Sequence, residues 1–516
     1  MASRPILNHD VLLEVAAASS WDTSAALLDT CRFLHLEGPR VLLRSPVRLN
    51  TEETLLRFLA FLRHALDSRR YKAVRELHLN FHGIVAATSS RLISALSLMH
   101  NLSSLRICES ERLLGGAPGV PGLLRATAAL TSLRKVQLLG AGKHTLMFLR
   151  SSKSKFTSVY TSFHGESYIP GVFVTTNPQC HPAALLVNSR YTLQDLECEH
   201  WHIHPDVMPN PDLVYPDMRR LTMNYTSFPL AIGSLLRAYP KLTYLSIHSG
   251  EGDIDEEAYG YADERYADYR EKNVLTQALP GCSREQLDEY FGPLVDCYVV
   301  GLTCPIERLE LRSMNPGHHY MLDPVLCSAR PRHLVLRSWP SYFEDEDGIE
   351  TDPFVAFSGH GVSRLESLTL TCRLDGCDLS MDVDVAGFLE GLMASLGHVP
   401  LLSLKFTISM DDLDPILKLQ RYSEDSDEGT PSPVDPEDYP LVFAEQSADE
   451  FDLADYVRRF ALLVPTLQTA EVRFEGLRSK RKVAELKDGE VQLNVSVIPP
   501  ESDGDFNMDD VVLYFE

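Results

Sequence analysis

One stretch of the chain has the residue types of a metal site: Cys198-Glu199-His200-Trp201-His202-Ile203-His204-Pro205-Asp206. Thiolate and imidazole are the ligands zinc prefers. In an extended strand alternate residues share a face, which would point Cys198, His200, His202 and His204 the same way. Consecutive ligands on one strand seldom close a tetrahedron, so a histidine-rich surface patch is expected and no metal. A second stretch, Gly140-Ala141-Gly142-Lys143-His144-Thr145, resembles a phosphate-binding loop. That loop needs a Gly where Gln137 stands and a Ser or Thr where His144 stands, so the segment reads as a turn after a strand. No Gly-x-Ser-x-Gly nucleophile turn occurs, and scattered His, Ser and Asp do not mark a triad. The expectation is a protein with no catalytic residues, no cofactor and no enzymatic activity.

Positioning must therefore serve recognition, and composition narrows the partner. The 516 residues are 44% apolar, normal for a folded protein. With 48 basic against 72 acidic residues the net charge is −24, which opposes nucleic acid and anionic membranes as partners. No apolar run is long enough to span a bilayer. Arg4, Asp10 and Glu14 stand where a secretion signal needs an apolar core. Ten cysteines without a Cys-x-x-Cys pair suit reduced thiols. A cytoplasmic or nuclear protein that is not secreted is expected.

Beyond residue 70 a pattern recurs: apolar, two variable residues, apolar, one variable, apolar. It runs as Val74-Leu77-Leu79, Leu102-Leu105-Ile107 and Leu133-Val136-Leu138, with weaker copies at 156–161 and 193–198. Met218-Leu221-Met223 and Leu242-Leu245-Ile247 follow. After a gap come Ile306-Leu309-Leu311, Pro331-Leu334-Leu336, Leu365-Leu368-Leu370, Leu401-Leu404-Phe406 and Leu467-Ala470-Val472. Helix-like segments such as 91–99, 230–237 and 385–396 lie between copies. Most neighbouring copies are about 23 to 37 residues apart, close to or above leucine-rich-repeat periods. The pattern resembles an irregular leucine-rich repeat: an α/β repeat solenoid with parallel strands on the concave face. An ordinary α/β domain with similar strands is the alternative. Acidic inserts near 250–272 and 411–455 interrupt it, with a smaller one at Glu344-Asp345-Glu346-Asp347. The stretch from Tyr422 to Pro433 reads as a disordered loop; Ser423, Ser426, Thr430 and Ser432 within it are either phosphorylation sites or bland linker. Arg478-Ser479-Lys480-Arg481-Lys482 is a nuclear import signal or, more simply, a solvated charged turn.

In each repeat strand the alternating variable residues face the concave side. Arg106, Arg220, Tyr244, Arg308, Arg312 and Arg337 are the expected substrate-binding residues, with basic residues concentrated around Arg308, Arg312 and Arg337. Glu76, Glu197, Asp195 and Glu310 share that face, so its charge is mixed.

The N-terminal segment is built differently. Val11, Leu12 and Val15 fall at helical spacing, with Asp10 at the positive end of the helix dipole. Thr23 or Ser24 is placed to cap a second helix carrying Leu27 and Leu28. A third turn carries Phe33 and Leu34 and stops near Gly38-Pro39. Some forty residues cannot bury enough surface alone, so this unit must pack on the rest of the chain or on a partner.

The segment resembles the F-box, whose usual form is Leu-Pro-x-Glu, aliphatics, and a closing Cys-Arg or Cys-Lys. Leu7, Asp10, Val11, Leu12, Leu13, Val15, Cys31, Arg32 and Leu34 fit; Asn8 stands where the family prefers Pro, and Ala16 where a bulky apolar residue is common. Pro39-Arg40-Val41-Leu42-Leu43 resembles the exit of fungal F-boxes. The resemblance implies a three-helix F-box-like module over residues 1–48, ahead of a repeat domain over 49–516. It implies a substrate-recognition subunit of a Skp1-cullin-F-box ubiquitin ligase, binding a Skp1-type adaptor and cullin complex at one end and an unknown protein substrate on the repeats. The adaptor contact would lie on Leu7, Val11, Leu12, Val15, Leu28, Cys31 and Leu34, with Cys31 a packed thiol. The alternative is a non-catalytic leucine-rich-repeat scaffold whose N-terminal helices only cap the solenoid.

Overall fold

All twelve copies of the recurring pattern form strands. The computed structural model describes residues 8–497 apart from 20, 29, 64–68, 116–121, 164–180, 202–209, 211, 227–229, 250–262, 313, 315, 340–353, 375–380, 411–412, 414–440 and 478–479. The chain divides into two compact units, Met1–Arg284 and Glu285–Glu516. The first holds β1 (Val47–Leu49), β2 (Glu76–Leu79), β3 (Ser104–Ile107), β4 (Lys135–Leu138), β5 (Ser158–Ser162), β6 (Asp195–Glu199), β7 (Arg220–Asn224) and β8 (Tyr244–His248), paired in chain order and all parallel. The second holds β9 (Leu287–Gly292), β10 (Ile306–Leu311), β11 (His333–Trp339), β12 (Ser367–Arg373), β13 (Ser403–Ser409) and β14 (Thr469–Leu477), again parallel and in order. It closes with an antiparallel pair, β15 (Lys480–Lys487) and β16 (Glu490–Val497). Helices fill most crossovers, as parallel pairing requires. Among the described residues no helix is long and apolar enough to cross a membrane.

The register stacks like on like. Leu77, Leu105, Val136, Val159, Leu196, Leu221 and Leu245 are successive partners in the first unit, and all are buried. Leu309, Leu334, Leu368, Leu404 and Ala470 form the matching ladder in the second. Many strands enter the sheet by the same device: one carbonyl of the preceding repeat accepts two successive N–H groups. Arg75 O receives Ser103 N and Ser104 N at 2.8 and 3.0 Å; Arg134, Thr157, Gln194, Arg219, Arg332, Glu366 and Leu402 do the same for the strands after them. The exits repeat too. Glu109, Gly140, His200, Tyr225 and Ser338 have φ between 52° and 58°, each two residues past an inward apolar position. Only Gly140 takes the left-handed conformation without a Cβ penalty; elsewhere it costs about 1–2 kcal/mol, offset by hydrogen bonds such as His200 N to Asn224 O at 2.9 Å.

Three helices precede β1: α1 (His9–Ala18), α2 (Trp21–Leu28) and α3 (Arg32–Leu42). Asn8, at the position where the F-box pattern has Pro, is the N-cap of α1. The other two helices differ from expectation. Thr23 and Ser24 lie inside α2 rather than capping it; Ser24 is buried and donates to Ala16 O at 2.6 Å, tying α2 to α1. Helix α3 does not stop at Gly38-Pro39. Proline removes one donor but keeps its carbonyl, which accepts Leu43 N at 3.0 Å. Gly38 lets α3 approach α2, because a Cβ there would overlap Leu28 Cδ2. Leu28, Leu34 and Leu42 form the centre of this unit, with Leu12, Leu13, Leu27 and Phe33 packed around them.

The phosphate-loop look-alike starts the helix Lys143–Ser151, whose free N–H groups are already taken. Glu111 Oε2 accepts His144 N at 2.8 Å and Thr145 N at 3.3 Å, while Oε1 lies 2.7 Å from His144 Nδ1. A side-chain carboxylate thus stands where a phosphate would. Glu111→Ala is expected to destabilise the first unit by about 1–2 kcal/mol, read as a lower urea midpoint, with Glu111→Gln in between.

Candidate interaction surfaces

The N-terminal unit divides its predicted contact residues between core and surface. Val11 and Val15, one turn apart on α1, are each 44% exposed. Leu28 and Leu34 are buried, and Leu12 is half-buried against them, so these three hold the unit together. Cys31, expected as a packed thiol, is exposed at the start of α3, where its backbone is extended and its side chain leaves the helix. Leu7 lies outside the described residues. Leu36, not anticipated from the sequence, is 63% exposed on α3. A cleft of about 690 Å³ separates the three helices from the first repeat; Leu28, Leu42, Val47, Leu49 and Phe58 line it, with Arg48 and Arg57 among its polar residues.

On the polar face of the first unit, Arg106 sits in register between His78 and Gln137. Arg220 lies over the ring of Tyr244 at 3.8 Å, a surface cation–π contact between register partners. Beside them β6 carries Asp195, Glu197 and Glu199 on alternate positions, hence on one face. Ser158 Oγ donates to Asp195 at 3.1 Å and Tyr160 OH to Glu199 at 2.6 Å. Glu197 has no such donor. Burial, and then the neighbouring Glu199 and Asp195 carboxylates, push it up to about 7 against the opposing pull of Arg220. The alternation of acids along 195–199 was visible in the sequence; Tyr160, the register partner of Glu197 on the adjacent strand, was not.

The second unit gathers the three predicted arginines around one carboxylate. Glu310, with 6% of its side chain exposed, lies 2.8 Å from Arg337 Nε, 3.1 Å from Arg308 Nη2 and 3.8 Å from Arg312 Nε. Arg308 also reaches Glu289 at 3.4 Å, and Arg312 lies over the Phe291 ring at 4.0 Å. Farther along, Lys405 lies 3.5 Å from Glu471, and Arg473 pairs with Glu471 and Glu475.

The remaining sequence candidates resolve differently. Cys198 is fully buried in the apolar ladder, and burial drives its thiol far above the usual range, so it is inert. The strand ends at Glu199, and His200, in the left-handed region, stacks on Tyr225 at 4.6 Å. Alternation therefore fails between Cys198 and His200; His202, His204 and Asp206 lie outside the described residues. Among the described residues no group of three His, Cys, Asp or Glu side chains is arranged to hold a metal ion. Lys480, Arg481 and Lys482 are in β15, not a turn, and Lys482 Nζ is 3.1 Å from the Asp449 carboxylate. No family model matches the chain, and no curated protein matches it significantly.

The raised pKa of Glu197 has a definite sign in stability. The fold favours the protonated acid, so this contribution is fully present below the ordinary glutamate value of 4.5 and is lost as pH rises through about 7. Glu197→Gln is expected to raise the urea midpoint relative to wild type at about pH 8.5 and to bring no gain at about pH 4.5. An equal difference at both pH values would contradict the assignment.

Proposed function

We propose that the chain is the substrate-recognition subunit of a Skp1-cullin-F-box type ubiquitin ligase, working in cytosol or nucleus. Its three N-terminal helices act as an F-box that engages a Skp1-type adaptor, and its repeat sheets, read as a leucine-rich-repeat-like solenoid, hold a protein substrate. The chain positions a target for a separate conjugating enzyme and does no covalent chemistry itself. The observation that carries this reading is the division of labour in the N-terminal unit: Leu28, Leu34 and Leu42 close a core of their own, while Val11 and Val15 stay exposed on α1.

The rival reading makes the same helices a cap on the first repeat. A cap stabilises by close packing, as protein interiors do. The cleft of about 690 Å³ between the helices and the residues Val47, Leu49 and Phe58 leaves the two parts incompletely packed, which favours the adaptor. The burial pattern also decides which variants test the reading. Leu28→Asp would unfold the unit and discriminate nothing.

Purified protein mixed with a Skp1-type adaptor is expected to co-elute in size-exclusion chromatography. Val11→Asp with Val15→Asp is expected to weaken the complex by more than about tenfold, since each valine buried at an interface contributes about 1–2 kcal/mol, and to leave the melting temperature unchanged. Failure of the wild-type protein to bind the adaptor would overturn the reading.

A further inference from the structure

Arg312 and Arg337 follow Leu311 and Leu336, which are register partners on β10 and β11. Two guanidinium groups therefore start from neighbouring positions on adjacent strands, about 4.8 Å apart. Like charges so placed repel and need a counter-charge. Glu310 supplies only part of it. Among the described residues Arg308, Arg312 and Arg337 share Glu310 and Glu289, three positive charges against two negative.

The two arginines are held for use by something else. Arg312 Cζ lies over the Phe291 ring at 4.0 Å, and its guanidinium makes no hydrogen bond among the described residues; its distance to Glu310 is an ion-pair distance, 3.8 Å. Arg337 gives Nε to Glu310, at 2.8 Å, its side chain is 55% exposed, and its terminal amino groups make no hydrogen bond among the described residues. A planar fork fixed at its base, with its tips free, is the geometry that takes a carboxylate or phosphate by two parallel hydrogen bonds. The next strand presents short hydroxyl side chains on the same face, Ser367, Thr369 and Thr371 on β12, and β13 adds Ser403 and the exposed Lys405, whose amino group lies 3.5 Å from Glu471. Small side chains let a peptide backbone come down onto the sheet, and the hydroxyls offer it hydrogen bonds.

We infer that the Arg312–Arg337 pair anchors an acidic side chain, carboxylate or phosphate, of a protein segment that lies across β11, β12 and β13. This rests on the reading of the sheet as a substrate surface and names the substrate class: an acidic rather than a basic or purely apolar segment. Because the whole chain is strongly negative, the attraction is local and salt-sensitive.

The test uses the full-length protein and fluorescein-labelled peptides in anisotropy titrations at low salt. The probes are an alternating Glu-Ser peptide, its Gln-Ser counterpart, and a phosphoserine version of the Gln-Ser peptide. Binding of the Glu-Ser or the phosphoserine peptide, at least about tenfold tighter than the Gln-Ser peptide, is expected. Whichever acidic probe binds more tightly identifies the source of the anion. Arg312→Gln with Arg337→Gln is expected to abolish that preference, and Arg337→Lys to lose most of it, because an ammonium group cannot reproduce the fork. Arg459→Gln, on the helix Leu453–Leu463, is the control and is expected to change nothing. Equal binding of the Glu-Ser, Gln-Ser and phosphoserine peptides, or a folded double variant that keeps the preference, would overturn the inference. The wild-type protein is also mixed with the Skp1-type adaptor. Adaptor binding without acidic-peptide preference removes the inference and leaves the adaptor reading standing; acidic-peptide preference without adaptor binding does the reverse.

Discussion

Parallel strand pairing is the constraint on which everything else here rests. A parallel strand cannot be joined to its neighbour by a tight turn, so every pairing demands a crossover, and every crossover must be closed at both ends. The chain closes many of them in the same way. A single carbonyl gathers two N–H groups where a strand enters, and a left-handed residue turns the backbone where several strands leave. With both ends fixed, leucine-like residues fall into register over seven strands in one unit and five in the other. Burying that ladder supplies the main favourable term, and the ladder leaves the alternate residues in rows on the other face.

Those rows explain where charge accumulates. Side chains from separate repeats, tens of residues apart, become neighbours one strand spacing away. On β6 alternate acids of one strand, Asp195, Glu197 and Glu199, crowd one sign onto this face, and Glu197 responds by holding its proton. Around β10 and β11 it produces arginines in excess, and buried Glu310 is the response. Neither cluster is a property of composition. The protein is acidic overall, yet its most concentrated cationic site is built from positions that the register brings together.

Much of the fold was legible because the repeat pattern is a core pattern. Every Leu-x-x-Leu-x-Leu-like segment became a strand, since three inward side chains suffice to define one. The missed strands lack that signature. Val47–Leu49 is only three residues long, Leu287–Gly292 carries Tyr290 and Gly292 at the inward positions, and β15 and β16 alternate charged or polar residues in an antiparallel hairpin. The left-handed exits were invisible because Glu109, His200, Tyr225 and Ser338 stand where glycine would have advertised them. The arginine cluster was foreseen as a concentration of charge, whereas its stacking on Phe291 depends on a strand that was not. In the N-terminal unit the sequence marked the apolar residues but could not separate those facing inward from those facing out. On helices this short, Leu12 and Val11 differ by one residue and by a hundred degrees of rotation, and only the packing of α2 and α3 decides between them.

That distinction between an internal core and an external contact is the centre of the functional account. Hydrogen–deuterium exchange on the full-length protein, alone and with a Skp1-type adaptor, addresses it directly. The account predicts slower exchange over His9–Ala18 and around Cys31–Leu36 when the adaptor is present, with the β2–β8 ladder unchanged. Unchanged exchange over His9–Ala18, in a sample where the adaptor is present in excess, would contradict it.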